Sequence, residues 1–195
     1  MHGSNVDTVD EHGKTPLMKT VINGFAALSE LLIRYGAKLD RRDNNSLNVL
    51  HMCGQVAATN NSYIPLLKLI IEKSPLDLID SRDKDGRTPL MHAAILSDTD
   101  ISAIELLISA GSNILLADNY GMTAAELSKI TSTAARQYFA VATIEKLEKE
   151  HQEWLTKTEI IDDSPVKKKK KPKKSELDNE NDINMPKNTE FIGEF

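Results

Sequence analysis

The side chains that most often carry out chemistry in proteins, histidine and cysteine, are sparse in this chain of 195 residues. Its histidines are His2, His12, His51, His92 and His151. They lack the spacing of metal ligands, either among themselves or with Cys53, the single cysteine. We therefore predict no metal site and, since one cysteine cannot form an intrachain disulfide, a reducing compartment. Cys53 is expected to be a small core residue, with a reactive thiol as the alternative.

Sequence signatures of catalysis are missing as well. The chain has no G-x-x-x-x-G-K-S/T loop, no G-x-G-x-x-G after a strand and no nucleophile elbow. Most carboxylates stand in predicted turns, where they cap helices or face solvent. We predict that the protein is not an enzyme and binds no cofactor; a catalytic activity would require an additional segment.

A helix-start signal that occurs four times must position the remaining side chains. In "DKDGRTPLMHAA", Asp83 to Gly86 have turn chemistry, Thr88 fits an N-cap and Pro89 fits the first helical position. Equivalent starts place Leu17, Leu50, Leu90 and Ala125 at intervals of 33, 40 and 35 residues. Internal repetition at this period indicates a solenoid.

A second apolar stretch with helical spacing follows each of the first three starts. These stretches are residues 28 to 43, 66 to 83 and 103 to 118, and Gly36 and Gly111 stand where a glycine would end a helix. Each repeat is therefore predicted to contain a turn, a helix, a short loop, a second helix and an extended arm. The predicted fold class is all-α.

This pattern resembles the ankyrin-repeat family. The matching residues are Gly13, Thr15, Pro16 and Leu17 in the first repeat, Gly86, Thr88, Pro89, Leu90, Ala93 and Ala94 in the third, and Gly36-Ala37 and Gly111-Ser112 at the second-helix exits. The resemblance covers residues 3 to 131. It implies an ankyrin-repeat solenoid of about four repeats in residues 1 to 131, built from helix-turn-helix units with β-hairpin-like arms.

The second repeat departs most from the family pattern. Its departures are Asn48-Val49 in place of Thr-Pro and Cys53-Gly54 in place of two alanines. The first and third repeats depart at one position, where Met18 and Met91 replace a histidine that His51 keeps. The second interval exceeds the first by seven residues. We place this excess in the helix-to-helix loop "AATNNSY" and in the arm "SPLDLIDSRD", and the two extra residues of the third repeat near "SDTD".

The resemblance implies a protein-binding scaffold that contacts partners through the arm tips and through the concave side formed by the first helices. On this sequence the arm-tip residues are His12, Lys14, Asn44, Asn45, Lys84, Asp85, Arg87, Asn119, Tyr120 and Met122. The concave first-helix residues are Lys19, Ile22, Asn23, Met52, Gln55, Val56, His92, Ile95 and Leu96. Tyr120 and Arg87 are predicted anchors, because aromatic and arginine side chains supply much of the binding energy of interfaces. His51 and His92 also fit a packing role in the first helices.

The sequence opens like the end of a repeat. Residues 3 to 10, "GSNVDTVD", match residues 36 to 43, "GAKLDRRD". The first repeat carries many apolar residues for an end repeat, namely Met18, Val21, Ile22, Leu28, Leu31 and Leu32. We expect a fragment, or a product shortened at its N-terminus, with further repeats upstream.

Helical spacing continues beyond the repeats, and residues 132 to 162 are predicted to form a C-terminal capping or extended helix. The residues expected to face the repeats are Ala134, Tyr138, Val141, Ala142 and Leu147. Two interpretations of the later part stay open. It is either a solvated capping helix with i,i+4 pairs such as Glu145 with Lys149, or a short seam centred on Trp154 for self-association or partner binding.

Residues 163 to 195 are predicted to be a disordered tail, basic first and then acidic. The basic run, Lys167, Lys168, Lys169, Lys170, Lys171, Lys173 and Lys174, resembles a nuclear import signal read by an acidic carrier. The alternatives are a solubilising tail or a weak contact with nucleic acid or anionic lipid. Residues 1 to 163 carry 16 Lys and Arg against 23 Asp and Glu, a balance that argues against nucleic acid on the folded part.

Taken together, these features predict a non-catalytic interaction scaffold in the nucleus, the cytoplasm or both, with protein partners that the sequence does not identify. No apolar run reaches the 18 or so residues of a membrane span. Two alternatives for the function are a regulatory cofactor of transcription or chromatin and a host-directed effector of an intracellular microbe.

Overall fold

Paired helices joined by tight turns make up most of the chain. The computed structural model describes residues 6–97, 100–128 and 133–159. The α-helices are α1 (Pro16–Ile22), α2 (Ala26–Arg34), α3 (Val49–Thr59), α4 (Ile64–Lys73), α5 (Pro89–Leu96), α6 (Ser102–Ser109), α7 (Ala124–Ser128) and α8 (Thr133–Glu159). Two 3-10 turns, Asn61–Tyr63 and Leu76–Leu78, precede and follow α4. The prediction of an all-α fold is confirmed.

The predicted N-caps start the first helix of each repeat. The hydroxyl of Thr15 accepts a hydrogen bond from the third amide of α1, and Thr88 does the same for α5. In the second repeat Asn48 caps α3 although the Thr-Pro pair is absent, because its side-chain oxygen accepts from two helix amides. Thr123 and Glu126 exchange bonds at the start of α7.

Each repeat begins with a tight turn built on an aspartate, and the four aspartates are Asp10, Asp43, Asp83 and Asp118. In every case one carboxylate oxygen accepts from the amides two and four residues later. In each arm the amide of the aspartate also donates to the carbonyl four residues later, so backbone and side chain together close a hairpin-like turn. In the residues that the structure describes there is no strand, and the pair Ala117 and Thr123 forms an isolated bridge.

The helices pack as two rows. The first helices α1, α3, α5 and α7 contact one another in chain order, and the second helices α2, α4 and α6 do likewise. Leu17, Leu50 and Leu90 occupy the same position in successive first helices and are at most 1% exposed. Each repeat thus buries its apolar residues against its neighbours, as a solenoid does. No helix in the described ranges is both long and apolar enough to span a bilayer.

The extra residues of the second repeat do not form the loop that the sequence suggested. They lengthen α3 to 11 residues and add the 3-10 turn Asn61–Tyr63. The Tyr63 hydroxyl donates to the carbonyl of Gly24 in the preceding repeat (2.7 Å), and the Asn61 amide donates to Asp100 in the following one. The insertion therefore links three successive interhelical connections.

Helix α8 packs on the repeats through a face that overlaps the predicted one only in part: Tyr138 and Ala142 are partly buried against the core, as expected. Ala135 and Phe139 are buried, whereas Val141 and Leu147 are about half exposed. The buried stripe starts from Phe139, the largest fully buried side chain, and Lys146 continues it by donating to Asn113 (2.7 Å). The described residues up to 155 form one compact unit. The predicted tail, residues 163 to 195, lies outside the described residues.

Candidate protein-interaction surface

The tips of the four arms are joined into one row by hydrogen bonds. The amide of Asn44 donates to the carbonyl of His12 (2.9 Å), that of Lys84 to Asn45 (3.1 Å), and that of Asn119 to Asp85 (2.8 Å). Each bond connects one arm to the next. The arms therefore present their exposed side chains at fixed spacings.

Two asparagine side chains add a second set of links between the arms. Asn44 donates through its amide group to the carbonyl of Glu11 (3.0 Å), and Asn119 donates to that of Lys84 (2.9 Å). Opposite them stand glycines with positive φ, Gly13 and Gly86, where a Cβ would lie 2.7 Å and 2.3 Å from the asparagine oxygen. Glycine is needed at these two tips both for the backbone and for the approach of the next arm.

Two arginine side chains form further hydrogen bonds that connect the second, third and fourth arms. Arg42 donates to the carbonyls of Ser46 (3.0 Å) and Arg82 (2.7 Å). Arg82 repeats the arrangement one repeat later, donating to the carbonyls of Gly86 (3.0 Å) and Ala117. These guanidinium groups satisfy turn carbonyls and so stiffen the row of arms.

The two predicted anchors have different surroundings. Tyr120 is 70% exposed at the tip of the fourth arm. Arg87 is largely buried, and its Nε lies 3.4 Å from a carboxylate oxygen of Asp118. Burial raises the pKa of the Asp118 carboxyl, but the amides of Met122 and Tyr120 and the guanidinium of Arg87 outweigh this effect and lower the pKa below its usual value. Tyr120 is therefore available to a partner, whereas the Arg87 side chain links the third arm to the fourth.

Among the first-helix residues predicted to contact a partner, Lys19 of the first repeat takes part in a surface ion pair. The ammonium group of Lys19 lies 2.9 Å from Asp10, and the pKa of Asp10 falls to about 2 because its carboxylate accepts bonds from Lys19 and from the amides of Lys14 and His12. Asn23 ends this helix by donating to the carbonyl of Lys19 (2.7 Å). Lys19 and Asn23 stay exposed, so both can still reach a ligand.

Two other concave residues are already used within the fold. His92 contacts Asp83 through Nε2 (2.6 Å), and its Nδ1 accepts from the side chain of Gln55 (2.7 Å). The His92 and Asp83 side chains are only 12% and 7% exposed. Gln55 belongs to α3, so the three side chains join the second repeat to the third. The packing role weighed for His92 accounts for these contacts.

His51 lies beside this group and is fully buried. Its Nε2 lies 3.2 Å from the carbonyl oxygen of Arg87, and its Nδ1 lies 2.7 Å from the side-chain oxygen and 3.3 Å from the main-chain amide of Asn48. Burial lowers the pKa of His51 to about 4, with the neighbouring His92 as a smaller cause. The ring is therefore neutral near pH 7 and joins the second repeat to the third arm.

Cys53 has the environment of a core residue. Its side chain is fully buried, and burial raises the pKa of its thiol to about 12. A thiol with so high a pKa is a poor nucleophile. In the described ranges there is also no group of three or more His, Cys, Asp or Glu residues that could hold a metal ion.

Sequence reasoning missed one cluster of charged residues, at the ends of α2 and α4. Arg34, Lys38, Arg41 and Arg42 fall within nine residues of an otherwise acidic chain, and Lys73 joins them in the fold. The local run of cations was visible in the sequence, but Lys73 is more than 30 residues further along. The predicted import signal, Lys167 to Lys174, lies outside the described residues.

The two rows of helices and the linked arms define a helical-repeat protein. Comparison with known families gives the repeat type: residues 54–130 match the family model described as ankyrin repeats, in three copies. The resemblance inferred from the sequence is confirmed, and this chain contains ankyrin repeats. The structure extends the same turn and helix pair towards the N-terminus, from Asp10 onwards.

Several curated proteins resemble the chain over part of its length. An ankyrin repeat protein of Rickettsia bellii is 36% identical over 97 residues, which cover 47% of this chain and 39% of that protein. An ankyrin repeat protein of Escherichia coli is 23% identical over 158 residues, covering 65% of this chain and 78% of that protein. The human transient receptor potential cation channel subfamily A member 1 is 28% identical over 91 residues, which cover 47% of this chain and 8% of that protein. The chain thus spans less than half of the length of the Rickettsia bellii protein and of the human channel.

Proposed function

We propose that this protein is a non-catalytic interaction adaptor that binds partner proteins through its arm tips and the concave side of its first helices. Ankyrin repeats are generally protein-interaction modules, which supports the class of function. The observation that favours this surface is the hydrogen-bonded row of arms. A surface whose spacing is already fixed loses little conformational entropy when a partner binds.

Tyr120 is the residue on which the surface depends most. Its ring is 70% exposed, while its main-chain amide is fixed by the Asp118 carboxylate (2.9 Å). A tyrosine in this position offers a large amphipathic contact area with few rotatable bonds. Exposed neighbours on the third and fourth arms, Lys84, Asp85 and Asn119, supply polar contacts around it.

The test replaces Tyr120 with alanine and uses Tyr35→Ala as a matched control. Tyr35 is 75% exposed but follows α2 on a different side of the repeat. Tagged full-length variants are expressed in cells, their interacting proteins are quantified, and the strongest interactor is then titrated with purified protein. Loss of a hot-spot aromatic costs about 2 kcal/mol, so we expect about a thirtyfold weaker affinity for Tyr120→Ala and none of this loss for the control. Equal binding by wild type and Tyr120→Ala would show that partners use another face.

We also propose that the basic run Lys167 to Lys174 directs the adaptor to the nucleus. The support is in the sequence, since successive ammonium groups suit the acidic groove of an import carrier. A fluorescent fusion with all seven lysines changed to alanine should lose nuclear accumulation, and a fusion with the same lysines changed to arginine should keep it. If the wild-type, alanine and arginine fusions were all distributed in the same way between nucleus and cytoplasm, the proposal would be contradicted and a solubilising role favoured.

A further inference from the structure

A groove between the ends of α2 and α4 carries a charge opposite to that of the whole chain. It consists of three adjoining depressions, and the middle one has a volume of about 460 Å³. Ile33 and Lys73 line both the middle depression and one neighbour, and Lys38 and Asp40 line both the middle depression and the other. We call this continuous depression the basic groove. Its cationic residues are Arg34, Lys38, Arg41, Arg42 and Lys73.

The cations of the groove exceed its acids. Five cationic residues stand against two carboxylates, Glu30 and Asp40, in a chain whose net charge is −5. In the described part of the chain only Arg42, among these five, uses its side chain in a hydrogen bond or ion pair. Arg34 and Lys73 lie in the last turns of their helices, where a cation offsets the helix dipole. This explanation does not extend to Lys38, which follows the helix.

Apolar residues form the floor and one rim of the basic groove. Ile33, Leu39, Leu69 and Pro75 line it below the charges. Leu76, next to Pro75, is 92% exposed. The chain leaves α4 differently from the other second helices. Ser74 and a 3-10 turn follow α4, whereas a glycine follows the second helix of the first and third repeats. Leu76 lies in this turn and is therefore exposed. The groove therefore combines positive charge with apolar contact area.

We propose that the basic groove binds an extended, acidic segment of a partner protein that carries apolar side chains between its carboxylates. The carboxylates lie over Lys38, Arg41 and Lys73, and the apolar side chains contact Ile33 and Leu76. Among the described lining residues there is no aromatic ring on which a nucleotide base could stack, and the apolar floor suits side chains better than phosphates. The groove shares no residue with the arm-tip surface, so it is a second binding surface.

The probe is a fluorescein-labelled peptide of Glu-Glu-Leu-Asp repeated three times, titrated by fluorescence anisotropy with the full-length protein in which the seven lysines of residues 167 to 174 are alanine, so that this second basic segment does not bind the peptide. Its control is the same peptide with Gln and Asn in place of Glu and Asp. The protein variant is Lys38→Glu with Lys73→Glu. The matched control is Lys149→Glu with Lys157→Glu, which makes the same charge change at exposed positions of α8 outside the groove and outside the arm tips. Near an effective dielectric constant of 20, two reversed charges should weaken binding by more than about tenfold at an ionic strength of about 0.15 M.

Carbodiimide coupling, which joins a carboxylate to an amine in contact with it, then locates the peptide. We expect cross-links at Lys38 and Lys73 and binding by the acidic peptide alone. Equal weakening in both double variants, or cross-links mainly at Lys84, would overturn the proposal. It would also be overturned if the peptide failed to bind while phosphatidylserine vesicles or an oligothymidylate bound and lost binding in Lys38→Glu with Lys73→Glu. The Tyr120→Ala result is independent of each of these outcomes.

Discussion

At the scale of single residues, the third and fourth arms show how the identity of one tip residue depends on the next. Gly86 has a φ of 76°. A Cβ at this position would lie 2.3 Å from the side-chain oxygen of Asn119 and 2.9 Å from the main-chain nitrogen of Asn119. Ser46 takes the equivalent place in the second arm with a φ of 64°. The arm that follows Ser46 offers Lys84 in place of an asparagine, so a Cβ is tolerated there.

Substitutions at Gly86 and Ser46 should therefore change the free energy of unfolding in opposite directions. Gly86→Ala is expected to lower the free energy of unfolding by more than about 2 kcal/mol, because it adds left-handed strain and displaces Asn119. Ser46→Gly is expected to raise it by about 0.5 kcal/mol, since relief of strain slightly exceeds the entropy that glycine adds to the unfolded chain. Urea unfolding followed by circular dichroism measures both changes. A stabilised Gly86→Ala variant would contradict the close approach of the two arms.

The buried imidazole of His51 makes stability depend on pH. Its pKa is about 4 in the folded protein, against 6.5 when unperturbed. Between these values the unfolded chain binds a proton that the folded protein does not, so the free energy of unfolding falls as pH falls through this window. We expect a loss on the order of 2 kcal/mol between about pH 7 and about pH 4.5. The aspartates with lowered pKa lose their contribution only at lower pH, below their unperturbed value of 3.8.

The variant His51→Met isolates this effect. Met18 and Met91 occupy the same position in the first and third repeats and are buried there, so methionine fits the site. In the first repeat the Met18 sulfur lies 3.4 Å from the amide of Thr15, the contact that His51 makes with Asn48. The variant should lose about 1 kcal/mol at pH 7 with the bond to Arg87, and its stability should change less than that of the wild type at lower pH. Parallel pH profiles for the two proteins would show that His51 is not the titrating group.

At the scale of helices, the sequence predicted the presence of α8 but not the face that it buries. Ala142 and Tyr138 were expected to face the repeats and are partly buried there. Val141 and Leu147 were expected beside them but are exposed. Small apolar residues recur on several sides of this helix, and its periodicity therefore leaves the rotation open. The burial of Phe139 in the hydrophobic core fixes the rotation, and it depends on residues distant in the sequence.

Substitutions on the two faces of α8 should separate the docked side from the exposed side. Phe139→Ala removes a fully buried ring and should lower the free energy of unfolding by about 3 kcal/mol or more. Leu147→Ala removes a side chain that is 52% exposed and should cost less than about 1 kcal/mol. Thermal and urea unfolding measure both. Equal effects would mean that α8 packs through the face first predicted.

Contacts between residues distant in the sequence also separate the predictable from the unpredictable parts of the interaction surface. Turn chemistry and N-cap residues act within a few positions of each other, so the four arms and the helix starts follow directly from the sequence. The bond of His92 to Gln55 requires contact between the second and third repeats and was not visible in any local pattern. The insertion in the second repeat was assigned largely to the helix-to-helix loop, but α3 continues through Thr59 and packs Ala57 and Ala58 in the core.

At the scale of the whole molecule, the linked arms and the continuous rows of helices should make the repeats and α8 unfold together. No repeat buries its apolar side alone, and the arm bonds, the Gln55 contact and the Lys146 bond each join separate repeats or helices. Trp154, the only tryptophan, reports on α8, whereas circular dichroism at 222 nm reports on all helices. We expect Gly86→Ala, in the third arm, to shift the midpoints of both urea transitions by the same amount. If the tryptophan transition kept its wild-type midpoint while the dichroism transition moved, α8 would be an independent folding unit, and the coupling through Phe139 and Lys146 would be too weak to transmit a change made in the arms.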